Sequence, residues 1–289
     1  MRIAVLGAGG TMGYPMARNL AQARLDVTAW NRSPDKITPL ADDGVRVAGS
    51  PAEAAAGADI VVTILADAEA VLAAMDGPQG AAAAMTPDAI WVQMSTIGEA
   101  GTDECARLAA DHDLTFIDAP VLGTRQPAEL GELVVLASGP ALARDRVQRV
   151  FDIVGRKTIW VGEAGDGTRL KLVANSWVLA VVEAGAETIA LAEGLGVRPA
   201  LFLDAISGGT LDLPYLRMKA AAIAERNFEP AFRLALAAKD AALVEEAAGR
   251  HELDLPVVRA VRERLEEGAR LHGDEDFCAT YLTSAPRPI

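Results

Sequence analysis

Residues 1–23 read MRIAVLGAGGTMGYPMARNLAQA. Ile3, Ala4, Val5 and Leu6 form a short apolar run, and four glycines follow within seven residues: Gly7, Gly9, Gly10 and Gly13. A helical pattern then runs from Tyr14 to Ala23. A strand, a glycine turn and a helix together make an anion site, because the backbone approaches a phosphate closely and the first helix N–H groups point at it. The spacing is irregular. A GxGxxG register counted from Gly7 puts Met12 in the third position, and one counted from Ala8 loses the first glycine. A turn one residue longer accommodates both. Gly7 makes the bend, Gly9 and Gly10 admit a pyrophosphate with Thr11 and Met12 beside them, and Gly13 lets the helix pack on the strand.

Outward from this turn, strand and helix patterns alternate. Strands are expected at Arg2–Leu6 and at 26–31, 45–48, 59–65, 89–95, 115–120, 133–138 and 158–161. Such alternation predicts a mostly parallel sheet covered on both faces. From Gly167 onward only helical periodicity remains, at 171–195, 200–207, 213–225, 232–248 and 256–271. The expected architecture is α/β: an N-terminal doubly wound sheet over 1–163, then an all-helical C-terminal domain over 164–289, joined by a long helix. The cleft between them is the expected ligand site, and the closing TSAPRPI is expected to fray.

The formal net charge of −13 over 289 residues excludes the broad basic footprint of a nucleic-acid or anionic-membrane binder, while leaving room for one local phosphate pocket. Cys105 and Cys278 stand far apart and outside any CxxC or His/Cys cluster, so neither a metal site nor a disulfide framework is expected. No uninterrupted apolar run reaches membrane-spanning length, and Met1 leads directly into a strand. A cytoplasmic protein with no membrane partner is the expectation.

The second strand ends in Asn31, Arg32 and Ser33. An NAD site usually places an acidic residue here to accept from the ribose 2′-OH. None occurs before Asp35, whereas Arg32 can pair with a 2′-phosphate and Asn31 and Ser33 can donate to it. NADP is therefore expected rather than NAD. A solvated loop arginine is the alternative for Arg32.

Carbonyl reduction with a nicotinamide needs a proton donor beside the hydride path. The three histidines, His112, His251 and His272, all fall away from the C-terminal ends of the strands and read as surface residues. The stretch Gly165 to Asn175, GDGTRLKLVAN, opens the long helix. Lys171 and Asn175 are four residues apart and share a helix face, among Leu170, Leu172, Val173 and Ala174. A lysine desolvated in such surroundings gives up its proton more readily. On spacing alone, a surface lysine with its stem laid along apolar neighbours is the better reading.

With these residues assembled, the chain resembles the β-hydroxyacid dehydrogenases, the family of 3-hydroxyisobutyrate dehydrogenase, over nearly its whole length. The matching segments are Met12 to Leu20 (MGYPMARNL), Met94 to Ile97 (MSTI), Asp118 to Val121 (DAPV), the Gly165-x-Gly167-x-x-x-Lys171-x-x-x-Asn175 motif, and Phe232 with Lys239-Asp240. The resemblance implies a Rossmann-type N-terminal domain and an oxidoreductase interconverting a β-hydroxyacid and its semialdehyde. It also implies that Lys171 is the general acid or base with Asn175 assisting, and that Leu65, Ala66 and Thr96 border the nicotinamide. Lys239 would reach the cofactor or substrate, and a homodimer or homotetramer would form on the helical domain.

Where the family commonly has Ser-Gly-Gly to hold the substrate carboxylate, this chain has Leu122, Gly123 and Thr124. The following Arg125 to Glu129 resembles the glyoxylate/succinic-semialdehyde branch. Trp177, Leu213 and Tyr215 would line a larger apolar pocket, or else pack between helices. Two other readings share the pattern. An imine reductase of this architecture commonly carries Asp or Tyr at the lysine position, and a non-catalytic NADP-binding protein needs no proton donor at all.

Overall fold

The computed structural model describes residues 1–285. The chain forms two compact units, Met1–Lys171 and Leu172–Ile289. The expected boundary at 163/164 falls just before the long helix begins, and the units part inside that helix.

The first unit is built on six parallel strands: β1 (Arg2–Leu6), β2 (Asp26–Trp30), β3 (Arg46–Val47), β4 (Ile60–Thr63), β5 (Ile90–Gln93) and β6 (Thr115–Asp118). Their order across the sheet is β3-β2-β1-β4-β5-β6. The helices are α1 (Gly13–Gln22), α2 (Pro51–Ala55), α3 (Ala68–Met75), α4 (Gly98–Asp111), α5 (Arg125–Glu129) and α6 (Arg144–Val154). Apolar residues cover both faces of the sheet. On one, Val5 and Val62 pack with Met16 and Leu20 of α1 and with Val147 and Phe151 of α6. On the other, Leu6 and Val61 pack with Met75, Trp91 and Cys105. Two-sided burial is why β4 reads as the unbroken apolar run Ile-Val-Val before its Thr63.

The last strands depart from expectation. β7 (Val121–Leu122), β8 (Leu133–Ala137) and β9 (Gly155–Trp160) form a separate three-stranded sheet, not a continuation of the first. β7 pairs antiparallel with β8, and β8 pairs parallel with β9. Only Ala119 and Pro120 separate β6 from β7. A parallel neighbour needs a crossover of a dozen or more residues, and Pro120 offers no N–H to prolong β6. Between the two sheets, Asp118 of β6 and Ser138, just past β8, exchange backbone hydrogen bonds of 3.0 and 2.8 Å.

Helix α7 (Asp166–Gly194) starts in the first unit and runs into the second. The second unit adds α8 (Pro199–Ile206), α9 (Pro214–Ala224), α10 (Leu234–Arg250), α11 (Pro256–His272) and α12 (Tyr281–Ser284). At 29 residues, α7 is long and apolar enough to cross a membrane, which the sequence reading did not anticipate. Its Leu179, Val182, Ala186 and Ile189 recur at helical spacing and are buried against Leu234, Ala237, Leu265, Phe277 and Tyr281. They form the seam of a protein core. Of the stretch expected to fray, Thr283 and Ser284 are helical and accept hydrogen bonds from Arg264. Residues 286–289 lie outside the described residues.

Candidate active site

Strand register sets the site. Trp30, Leu6, Thr63, Gln93 and Asp118 are paired in one row across β2, β1, β4, β5 and β6. The residues that follow them therefore leave the sheet along a single edge: Asn31 to Ser33, Gly7 to Gly10, Leu65 and Ala66, and Ser95 and Thr96. Strand order reverses at β1, which lies between β2 and β4. Open parallel sheets bind ligands at the carboxyl ends of the strands beside such a reversal.

The irregular glycine turn has a defined geometry. Gly7 has φ +96°, and a Cβ there would stand 2.2 Å from the Ile64 carbonyl oxygen. A Cβ on Gly13 would stand 2.3 Å from the Gly7 carbonyl oxygen. Gly7 is thus the bend and Gly13 the packing residue, as expected. Gly9 and Gly10 differ from each other. The Gly9 N–H donates to Asn31 Oδ1 at 3.1 Å and its Cα faces that side chain, whereas Gly10 has only the Gly7 carbonyl oxygen nearby, at an ordinary 3.4 Å from a Cβ. No side chain caps the start of α1. A cradle of this shape, with an uncapped helix start beside it, fits a dinucleotide pyrophosphate.

Asn31 does more than end β2. Besides accepting from Gly9, it donates through Nδ2 to the Ser33 carbonyl at 2.9 Å. The amide expected to face a 2′-phosphate instead ties the glycine turn to the loop carrying Arg32 and Ser33. Both of those residues are exposed. Next along the edge, the Leu65 N–H donates to Ser95 Oγ at 2.8 Å. Gln93, fully buried, accepts from the Ser95 N–H and donates to its carbonyl. This brace fixes the backbone from which half-buried Thr96 projects, and Ala66, one residue past Leu65, is exposed.

Beyond β6 the chain holds the first turn of α7. Asp118, with no exposed surface, accepts from the Thr168 N–H at 2.7 Å, from Thr168 Oγ1 at 2.8 Å and from Ser138 Oγ at 3.2 Å. Thr168 Oγ1 also lies 3.1 Å from Thr102 Oγ1 of α4, and the Gly167 N–H donates to Ser138 Oγ at 2.9 Å. A Cβ on Gly167 would stand 2.3 Å from the Leu136 carbonyl oxygen, so only glycine lets the helix start this close to β8. One turn on, Lys171 Nζ donates to the Val121 carbonyl at 2.8 Å. Burial pushes the Asp118 carboxyl up to about 6, and the hydrogen bonds from Thr168 and Ser138 offset only part of that rise.

Asn175, four residues beyond Lys171 on α7, is 2% exposed and donates to Asp240 Oδ2 at 2.9 Å. The other Asp240 oxygen pairs with Lys239 at 2.7 Å. Trp177 is two-thirds exposed, while Tyr215 packs against Phe277 with ring centroids 6.5 Å apart. Leu122 lies in β7 opposite Val134, and Gly123 takes φ +128°, a conformation that side chains avoid. Among the described residues no group of three or more His, Cys, Asp or Glu could hold a metal.

Sequence reasoning singled out Lys171, Asn175 and the glycine turn, but assigned nothing to Asp118, Ser138, Thr168, Gln93 or Asp240. The signal for Asp118 and Gln93 was present: each is a polar residue closing an apolar strand, TFID and IWVQ. A polar side chain there must find partners.

The N-terminal part of the chain, residues 2–162, matches the family described as the NAD binding domain of 6-phosphogluconate dehydrogenase. Residues 165–283 match that described as NAD-binding of NADP-dependent 3-hydroxyisobutyrate dehydrogenase. The chain is 32% identical over 272 residues, 93% of its length and 76% of the relative's, to glyoxylate/succinic semialdehyde reductase 2, chloroplastic, of Arabidopsis thaliana. It is similar to the Mycobacterium tuberculosis 3-hydroxyisobutyrate dehydrogenase solved with L-serine, at TM-score 0.86 and 30% identity, covering 98% of each chain. The Salmonella typhimurium 3-hydroxyisobutyrate dehydrogenase shares the fold at TM-score 0.89 and 24% identity, over 98% of this chain and 99% of that one.

Proposed function

The chain belongs to the β-hydroxyacid dehydrogenase family and is a nicotinamide-dependent dehydrogenase or reductase acting on a hydroxyl group; from that premise we propose that it reduces a small semialdehyde or 2-oxo acid with NADPH, using Lys171 as the proton donor. One observation carries this reading. A half-buried ammonium is held on a helix that starts against the end of β6, by the Val121 carbonyl just past the edge where the glycine turn lies.

NADPH supplies the hydride when bound. The protein's contribution is to place donors where negative charge develops. As the carbonyl carbon is reduced, its oxygen takes a proton from Lys171 Nζ, which leaves the lysine neutral until solvent recharges it. Asn175 is oriented by Asp240, so its amide is fixed one turn from Lys171. Arg32, exposed beside Asn31, supplies the guanidinium fork for the 2′-phosphate. Support for a semialdehyde or 2-oxo acid comes from the glyoxylate/succinic semialdehyde relative and from the Leu122-Gly123-Thr124 segment. There a leucine stands in place of a serine, and an anion would meet backbone N–H groups and the Thr124 hydroxyl.

The test assays glyoxylate and succinic semialdehyde with NADPH. Lys171→Ala is expected to leave NADPH affinity within about twofold and to lower kcat by about 10²–10⁴-fold. Turnover close to that of the parent chain would overturn the role of Lys171. Arg32→Ala is expected to weaken NADPH by about 10- to 100-fold, the worth of a charge-assisted pair, and NADH hardly at all. Equal losses for the two nucleotides would reject the 2′-phosphate contact.

A further inference from the structure

Among the buried titratable groups to which the proposed reaction gives no part, Asp118 lies nearest in sequence to the carbonyl that holds Lys171. Asp118 ends β6, its side chain reaches fifty residues ahead to Thr168, and among the described residues no cation is bonded to it. Its oxygens take the N–H and the hydroxyl of Thr168 together with the hydroxyl of Ser138. The same Ser138 oxygen accepts from the Gly167 N–H. Two consecutive residues of the first α7 turn are therefore clamped, one directly and one through Ser138.

Thr168 precedes Lys171 by three residues, which puts both on neighbouring positions of one helix face. The segment that clamps Thr168 also holds the lysine. Asp118 and Val121 are separated only by Ala119 and Pro120, and the Val121 carbonyl accepts from Lys171 Nζ at 2.8 Å. The short stretch 118–121 thus grips α7 at two points one turn apart. Thr102 of α4 adds a third, against the Thr168 hydroxyl. Asp118, Ser138, Thr102 and Thr168 are each more than 90% buried, so the bonds among them do not compete freely with water, whereas Lys171 is half-buried.

We propose that Asp118 is a positioning residue for the proton donor: through Thr168 it sets the rotation and axial register of the first α7 turn, and so the place of Lys171 Nζ. This deepens the reading of Lys171 as the acid and rests on it for its catalytic meaning. The clamp itself is a statement about where an ammonium sits. A carboxylate suits the task because its two oxygens take the Thr168 N–H and hydroxyl at once. Asparagine at 118 keeps one such acceptor and turns the other into a donor. Valine at 168 keeps the shape of threonine and removes the hydroxyl, while serine at 168 keeps both donors.

The experiment uses full-length chains carrying Asp118→Asn, Thr168→Val and Thr168→Ser, compared with the parent and with Lys171→Ala. Acetic anhydride is the probe, with acetylation of Lys171 followed by mass spectrometry against Lys36 and Lys157 as internal references. Released from the Val121 carbonyl, Lys171 is expected to acetylate several-fold faster in Asp118→Asn and Thr168→Val, at unchanged reference rates, and at the parent rate in Thr168→Ser. With NADPH and succinic semialdehyde, the first two variants are expected to lose up to about 100-fold in kcat, the effect of an ångström-scale misplacement, while NADPH affinity stays within about twofold. Thr168→Ser is expected to restore the parent value. Parent-like Lys171 acetylation in folded Asp118→Asn and Thr168→Val, or a Thr168→Ser variant that behaves like Thr168→Val, overturns the proposal. The acetylation arm stands without turnover: active Lys171→Ala would reject the catalytic reading, yet the labelling rates would still decide the clamp.

Discussion

Asp118 in the first unit and Asp276 in the second are both buried, both sit where a helical turn begins, and both accept several hydrogen bonds. Asp276 takes the N–H groups of Ala231, Phe232 and Cys278 at 3.1–3.2 Å and the Lys219 ammonium at 2.7 Å. Among the described residues the donors to Asp118 are all neutral. Burial pushes both carboxyls up. At Asp118 it prevails, carrying the group to about 6, whereas at Asp276 the Lys219 charge and the hydrogen bonds outweigh it and hold the carboxyl below its ordinary range. Neutral hydrogen bonds moderate the cost of an enclosed charge, and a bonded cation reverses it. The second unit uses its pair to fasten the turn Phe277–Thr280 to α9, with Lys219 seated over the rings of Tyr215 and Phe277.

The sharpest way to break this contrast is to make the second site resemble the first. Lys219→Met leaves Asp276 with N–H donors alone, an uncompensated buried charge. The expected loss is about 3–5 kcal/mol at pH 7, read by urea unfolding. The loss should shrink at pH 4, because the unpaired Asp276 protonates there and the pair in the parent chain weakens as pH falls towards its lowered folded pKa. Equal losses at the two pH values would show that Lys219 acts through packing.

Next in size is the pH response at Asp118. Its folded value, about 6, lies above the ordinary 3.8. The folded chain therefore binds more protons between those values, and its stability at this site falls as pH rises through them. From pH 4 to 7 the parent chain is expected to lose about 2–3 kcal/mol relative to Asp118→Asn, which cannot ionise. A difference in stability that stays flat with pH would refute it. Asp276 has the opposite sign: its contribution is complete above the ordinary carboxylate range and is lost as pH falls through its lowered folded value.

The smallest expected effect sharpens the account of how neutral donors share the work. Ser138→Ala removes one donor from Asp118 and the acceptor of the Gly167 N–H. A cost of about 1–2 kcal/mol is expected at pH 7, together with a carboxyl midpoint above that of the parent in a carbon-13 NMR titration. An unmoved midpoint would mean that Thr168 alone tunes the carboxyl.

Much of this was legible before any coordinates. The run Ile3–Leu6 with Gly7 and Gly13 specified strand, bend and packed helix, because a bend at positive φ and a close backbone approach leave few residue types to choose from. The Lys171/Asn175 pair followed from helix spacing and the family pattern. Other features were hidden. β7 is two residues long and carries no periodicity, so the second sheet was absorbed into the first. Asn31 read as a donor to the nucleotide, since nothing local reveals that its amide is held by Gly9 and Ser33.

What the sequence determined by itself is short-range: strand and helix periods, the glycine turn, and a lysine one turn into the long helix. Those properties depend on residues within a few positions of one another, where spacing is geometry. Only tertiary structure decided that the row ending in Gln93 and Asp118 faces a single edge, and that Asp118 meets Thr168 fifty residues later. A buried carboxylate takes whatever donors the fold delivers to it. Their identity is therefore set by strand register and by the place where Gly167 lets α7 begin, neither of which is written near Asp118.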